Sequence, residues 1–139
     1  MTTHIVNISY KKGNAFTAEI SGHKIVMDTH ADEGGEDTGP SPKRLMLASL
    51  AGCTGIDIVS ILTKQKVVFS HLSISVHAAL SATHPKIYNL VKITYKIKVK
   101  EEDKLKIIRA VNLSKEKYCG VYAMFAKFAK MDTEIDYIV

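Results

Sequence analysis

Between Lys43 and Gln65 the chain runs through an almost unbroken series of apolar and small residues, and no other segment constrains its fold as strongly. Leu45, Ala48, Ala51 or Gly52, Gly55, Ile56, Val59 and Leu62 recur at helical spacing. Ser41-Pro42 supplies a start, with Ser as N-cap and Pro at the first helical position. The spacing therefore predicts a long central helix. Its middle, Ala48-Ser49-Leu50-Ala51-Gly52-Cys53-Thr54-Gly55, is made of small residues, and two glycines inside a helix cost roughly 1 kcal/mol each relative to Ala. Close approach by another helix or backbone, within the chain or across a dimer interface, offsets that cost and leaves Cys53 at the junction.

The segments on either side fix the fold class. His4 to Tyr10, Ala15 to Ile20 and His23 to Asp28 read as a meander of strands, with turns at Lys11-Lys12-Gly13-Asn14 and Ser21-Gly22. Thr29 to Pro40 concentrates Gly, Asp, Glu and Pro and is expected to be a flexible acidic loop without regular structure. After the helix, Val67 to Leu80 and Lys86 to Lys100 form a predicted antiparallel hairpin broken at Ser81 to Pro85. A second helix is expected from Glu102 to Tyr118 with Leu105, Ile108 and Val111 or Asn112 inward. A short helical piece, Val121 to Lys130, and a terminal strand, Glu134 to Val139, complete the order. Strands, helix, strands, helix, strand is the pattern of an α+β fold with helices on antiparallel sheets. A length of 139 residues suits one domain spanning 1–139.

Composition narrows the functional classes. A chain that is 46% hydrophobic and 24% charged folds to a globule. No window is read as the roughly 18 consecutive apolar residues of a membrane span, and MTTHIVNISY has no basic flank before an apolar stretch, so no membrane role and a cytoplasmic location are expected. The net charge of +5 invites a nucleic-acid partner, but only Arg44 and Arg109 carry the guanidinium that phosphate and guanine readers favour. Lys92, Lys96, Lys98 and Lys100 alternate with Ile93, Tyr95, Ile97 and Val99, which makes a solvated strand face without stacking aromatics. No nucleic-acid partner is expected.

Two cysteines, Cys53 and Cys119, remain as the candidates for chemistry. Each has a glycine beside it that leaves the sulfur approachable. Neither has a Cys or His partner at metal-site spacing, and there is no CxxC, so no metal is expected. With six histidines in the chain, a papain-like Cys and His pairing has little weight. Asp57 lies one turn after Cys53 and would resist its ionisation, whereas Lys115 lies one turn before Cys119 and would promote it. Local chemistry thus leaves the order of attack open.

Gly39-Pro40-Ser41-Pro42-Lys43-Arg44-Leu45, continuing into Cys53-Thr54-Gly55-Ile56-Asp57-Ile58-Val59-Ser60-Ile61-Leu62, resembles the helix bearing the first cysteine of the OsmC and Ohr family, named for osmotic induction and organic hydroperoxide resistance. Ser114-Lys115-Glu116-Lys117-Tyr118-Cys119 resembles the segment around its second cysteine, in the form of the YhfA-like branch, which the run Gly34-Gly35-Glu36-Asp37-Thr38-Gly39 also fits. The resemblance implies an OsmC-like fold, an intertwined homodimer, and a thiol peroxidase in which Cys53 reduces an organic or hydrogen peroxide. Cys119 would then resolve the sulfenic acid as a disulfide, and an external thiol or dithiol would restore both. No bound cofactor is implied.

One departure stands out. The family's peroxidases use an arginine from an N-terminal loop and a glutamate just after the Pro that opens the central helix, whereas here no arginine precedes Arg44, and Lys43 and Arg44 occupy the glutamate's place. Lys43, Arg44 and Lys115 are the candidates to support a thiolate instead, with Lys11 and Lys12 as replacements for the loop arginine. Arg44 stands nine residues, about 13 Å of helix, from Cys53. The rival reading is a non-catalytic dimer holding a small hydrophobic ligand, with structural or regulatory cysteines.

Overall fold

The computed structural model describes all residues, 1–139. Met1–Met46 and Leu47–Val139 form two compact units. Helix α1, Pro42–Lys64, begins in the first and runs on through the second.

In the larger unit, β4 (Phe69–Leu80) and β5 (Tyr88–Val99) make the expected antiparallel hairpin, and β6 (Lys130–Tyr137) lies on the other side of β5. That last pairing is parallel, from Leu90↔Lys130 to Ile97↔Tyr137. The alternation read in β5 holds. Val91, Ile93, Tyr95 and Ile97 are buried, while Lys92, Lys96 and Lys98 face solvent. Lys92 is further spoken for by an ion pair with Glu134 at 2.7 Å.

Against this sheet α1 buries Leu50, Thr54, Ile58 and Leu62, one residue per turn. The face inferred from the sequence contained Ile56 and Val59, but both are exposed, Ile56 by 72%. The helix is apolar around most of its circumference, so periodicity could not select the inward stripe. For the same reason α1 is, by length and composition, apolar enough to cross a membrane, contrary to the sequence expectation.

The predicted second helix divides into three. A 3-10 turn at Glu101–Asp103 leads into α2 (Lys104–Leu113), which passes into a π-type turn at Ser114–Tyr118. Here the expected inward face is met only in part: Val111 is buried as expected, together with Ile107 and Ala110, whereas Leu105 is 65% exposed and Ile108 also faces out. Helix α3 (Gly120–Phe125) is shorter than expected because β6 claims the chain from Lys130.

The smaller unit is the expected meander of β1 (Asn7–Lys12), β2 (Ala15–Ile20) and β3 (His23–Met27). β1 begins three residues late and absorbs Lys11 and Lys12 through a bulge between Tyr10 and Lys12, which shortens the turn. Tyr10 packs edge-on against its cross-strand partner Phe16, with centroids 5.4 Å apart.

The segment expected to be flexible is tied instead. Asp28, only 2% exposed, accepts hydrogen bonds from the N–H of Thr29 at 2.7 Å, the N–H of Thr38 at 3.1 Å and the hydroxyl of Thr38 at 2.6 Å, and a longer one from Glu36 N–H at 3.4 Å. A 3-10 turn at Ala31–Glu33 lies inside this knot. A Cβ on Gly35 would run into the Thr29 carbonyl, and one on Gly39 into the Val26 carbonyl, so both positions require glycine. No local pattern marks Asp28 as a residue that gathers donors from eight and ten residues away.

Those donors, led by the Thr38 hydroxyl, lower the Asp28 pKa from 3.8 to about 2 against the opposing effect of burial. A depressed carboxylate stabilises the fold above its unfolded pKa and loses that contribution as pH falls through its folded one. The protection of the Thr29 and Thr38 amides against exchange, measured relative to their intrinsic rates, should therefore hold down to pH near 4 and fall toward pH 2. Asp28→Asn, which puts an amide NH2 against one set of donors, should lower that protection at neutral pH and remove its further loss in acid.

Candidate redox site

The site lies within the larger unit and starts from the small-residue stretch of α1. Gly55 does meet a close neighbour, since a Cβ there would stand 3.0 Å from Cδ1 of Ile74 on β4. Gly52 has open space around it, so whatever offsets the cost of that glycine is not a contact within the chain. Cys53 sits between the two and is half-buried.

Cys119 arrives from the π-type turn. Its N–H reaches back five residues to the Ser114 carbonyl at 2.8 Å, which closes the wide turn. Its backbone then becomes extended, and its Sγ accepts the Tyr122 N–H at 3.3 Å, so the cysteine itself caps α3. Turns of this width are often found at functional sites, because they displace a side chain from regular helical register. Here the displaced side chain is a thiol, 2% exposed and in hydrogen-bonding contact with Cys53.

Burial, above all, pushes the Cys119 pKa from 9.0 to about 12. The hydrogen bond to Cys53 acts in the same direction, as do the charges of Cys53 and Asp57, while the Tyr122 N–H opposes them. Cys119 is therefore a thiol at neutral pH.

Buried hydroxyls flank the pair. Thr54, next to Cys53, lies 2.9 Å from the Tyr95 hydroxyl and 2.8 Å from the Ser114 hydroxyl, and Ser114 donates to Asp57 Oδ2 at 2.9 Å. Tyr95, at the centre of β5, has its pKa raised to about 12, chiefly by burial. Every member of this chain is satisfied, as groups so deeply buried need to be.

Of the charged candidates, Lys115 is engaged away from the thiol it was expected to serve. Lys115 donates to Thr133 Oγ1 at 3.1 Å, so it does not promote ionisation of Cys119, whose pKa moves the opposite way. Lys117 lies over the Tyr118 ring. The Arg44 guanidinium donates to Ser41 one turn back, Lys43 is exposed in the first turn of α1, and Lys12 pairs with Glu36. Asp57, read from the sequence as a neighbour opposing Cys53, is engaged by Ser114, and its field falls on Cys119 and Tyr95. Thr54, Tyr95, Ser114 and Tyr122 escaped the sequence reading. The one available signal was polar: Thr54 interrupts an apolar stretch one residue after Cys53.

The family model for OsmC-like proteins matches residues 34–134. Protein YhfA of Escherichia coli strain K12 is 30% identical over 121 residues, which is 86% of this chain and 87% of that protein. A hypothetical protein from Aquifex aeolicus VF5 superposes with a TM-score of 0.85 at 28% identity, covering 99% of this chain and 98% of the other. An organic hydroperoxide resistance protein from Legionella pneumophila shares the fold, with a TM-score of 0.69 at 17% identity over 98% of each chain.

The difference in depth between the two sulfurs predicts their reactivity. Brief treatment of the reduced native protein with iodoacetamide near pH 7.5 should add one label, on Cys53, with Cys119 reacting only after denaturation; mass spectrometry of the digested protein reads the positions. Labelling of Cys119 before Cys53 would contradict the arrangement described.

Proposed function

The chain belongs to the OsmC-like family, and on that premise we propose that it is a thiol-dependent peroxidase, reducing organic or hydrogen peroxides through Cys53 and Cys119. The observation that carries this reading is the contact between the two thiols at a place where burial keeps Cys119 protonated. A buried thiol held as S–H makes a poor first nucleophile and a well-placed second one. The half-buried Cys53 is accordingly the residue that meets the peroxide.

The Cys53 thiolate attacks the terminal, hydrogen-bearing oxygen of the hydroperoxide. The O–O bond breaks, the alkoxide leaves and takes a proton from water to become the alcohol, and Cys53 holds a sulfenic acid. The Cys119 sulfur then displaces hydroxide from Cys53, and its own proton leaves with that hydroxide as water, giving the disulfide. An external dithiol reduces the disulfide by two exchanges and is itself oxidised. No step calls for a bound cofactor or metal. Recycling by a dithiol suits a cytoplasmic location, where thiols are kept reduced.

A second copy of the chain belongs to this proposal. Ile56 and Val59 project from α1 away from the core, and Ile8 and Tyr10 are exposed on β1, surfaces that a monomer would leave in water. The open space at Gly52 lets a partner backbone approach close to Cys53. The rival reading, a hydrophobic ligand held between subunits with structural cysteines, draws its support from the missing arginine and glutamate and from Lys115, which is turned to Thr133.

Consumption of cumene hydroperoxide by the reduced protein with excess dithiothreitol separates the two. Wild type should turn over, Cys53→Ser should fall to the uncatalysed rate, and Cys119→Ser should react once per site but lose at least tenfold in continued turnover with dithiols. Wild type no faster than Cys53→Ser would sink the peroxidase reading and leave ligand binding by the dimer.

A further inference from the structure

The buried chain Tyr95–Thr54–Ser114–Asp57 takes no part in the thiol chemistry just described. It ties three elements together: β5 through Tyr95, α1 through Thr54 and Asp57, and the π-type turn through Ser114. The direction of its hydrogen bonds follows from counting protons. Ser114 gives its single hydroxyl proton to Asp57, so it receives one from Thr54. Thr54, its proton spent, receives in turn from Tyr95. All three hydroxyls lie on residues no more than 1% exposed, and each has one arrangement that leaves none unpaired.

The two middle members of this chain adjoin the two cysteines. Thr54 follows Cys53 directly on α1, and Ser114 opens the turn whose closing hydrogen bond, from Cys119 N–H to the Ser114 carbonyl, places the second thiol. Apolar packing alone would let such a turn slide along α1 with little penalty. A hydroxyl held between two partners at 2.8 and 2.9 Å does not slide without breaking a bond.

We infer that this hydroxyl chain is the positioning device for disulfide closure, with Thr54 and Ser114 as positioning residues that hold the Cys119 turn against α1 so that the two sulfurs stay in reach. In the catalytic cycle the inference rests on the peroxidase reading, because it assigns these residues to the step in which Cys119 displaces hydroxide from oxidised Cys53. Its geometric content is independent of peroxide, since any oxidant that pairs the two sulfurs meets the same arrangement.

The test is the equilibrium between the Cys53/Cys119 dithiol and its disulfide in buffers of reduced and oxidised dithiothreitol, for wild type, Thr54→Val, Thr54→Ser and Ser114→Ala. Thr54→Val and Ser114→Ala should lower the equilibrium constant for disulfide formation at least tenfold, about 30 mV for a two-electron couple. Thr54→Ser, which keeps the hydroxyl and loses a methyl, should stay within about twofold of wild type. Unchanged constants in both Thr54→Val and Ser114→Ala would overturn the inference, as would a loss in Thr54→Ser as large as that in Thr54→Val, which would make shape the cause. Should Thr54→Val fail to fold, Ser114→Ala decides by the same criterion, because it removes a single oxygen. A wild type that consumes no peroxide yet follows these expectations in the redox titration would refute the peroxidase reading and leave the positioning role standing.

Discussion

The larger unit depends on α1 presenting Leu50, Thr54, Ile58 and Leu62 to β5 as one stripe. Three of the four are ordinary core residues. The fourth carries a hydroxyl into a place from which water is excluded, and burying a hydroxyl without a partner costs more than its methyl group returns. Tyr95 and Ser114 meet that demand, and in doing so they fix where β5 and the turn before Cys119 stand relative to the helix. A Val at Thr54 would fill the same space and specify neither. The polar member of the stripe thus converts hydrophobic contact, which has no direction, into a defined register.

That register divides labour between two cysteines that look alike in sequence. Each has a glycine neighbour and a charged residue one turn away, and on that basis Cys119, beside Lys115, is at least as activatable as Cys53. Depth decides otherwise. Desolvation outweighs every other influence on Cys119, and the nearby lysine is turned to Thr133. A one-turn spacing places two Cα atoms on the same side of a helix, but a lysine has four methylenes with which to choose another partner. The π-type turn removes even the premise of a regular helix between residues 114 and 118. Charge arguments drawn from sequence spacing hold only where the backbone stays helical and the long side chain has nowhere better to go.

The legible parts of the fold were those in which a single periodicity operated. The β5 alternation of lysine with Ile93, Tyr95 and Ile97, the meander and the start of α1 at Pro42 all follow from one-sided patterns or strong punctuation. The inward faces of α1 and α2 were not legible, because Ile56 and Val59, or Leu105 and Ile108, make a second apolar stripe that one chain does not bury. The knot at Asp28 escaped because its donors are backbone groups whose position depends on the closed loop itself. The candidate cysteines were found from the sequence; the hydroxyls between and behind them were not, since serine and threonine are too common for any one to signal a buried role.

The electrostatics around the two sulfurs bear on what substrate the site would take if the peroxidase reading holds. Lys115 is turned to Thr133, away from the thiols, and the carboxylate of Asp57 is held by Ser114. What the structure places on the second sulfur is a dipole, the Tyr122 N–H on Cys119. Dipoles stabilise charge over shorter distances than an arginine does, so such a site gives little attraction to an anionic peroxide approaching from solution. Recognition then falls to apolar contact with the exposed residues of α1, Ile56 and Val59 among them, and to whatever a second subunit brings against the open space at Gly52. A neutral, lipophilic hydroperoxide fits that balance better than a charged one, because it gives up apolar surface on binding and needs no countercharge.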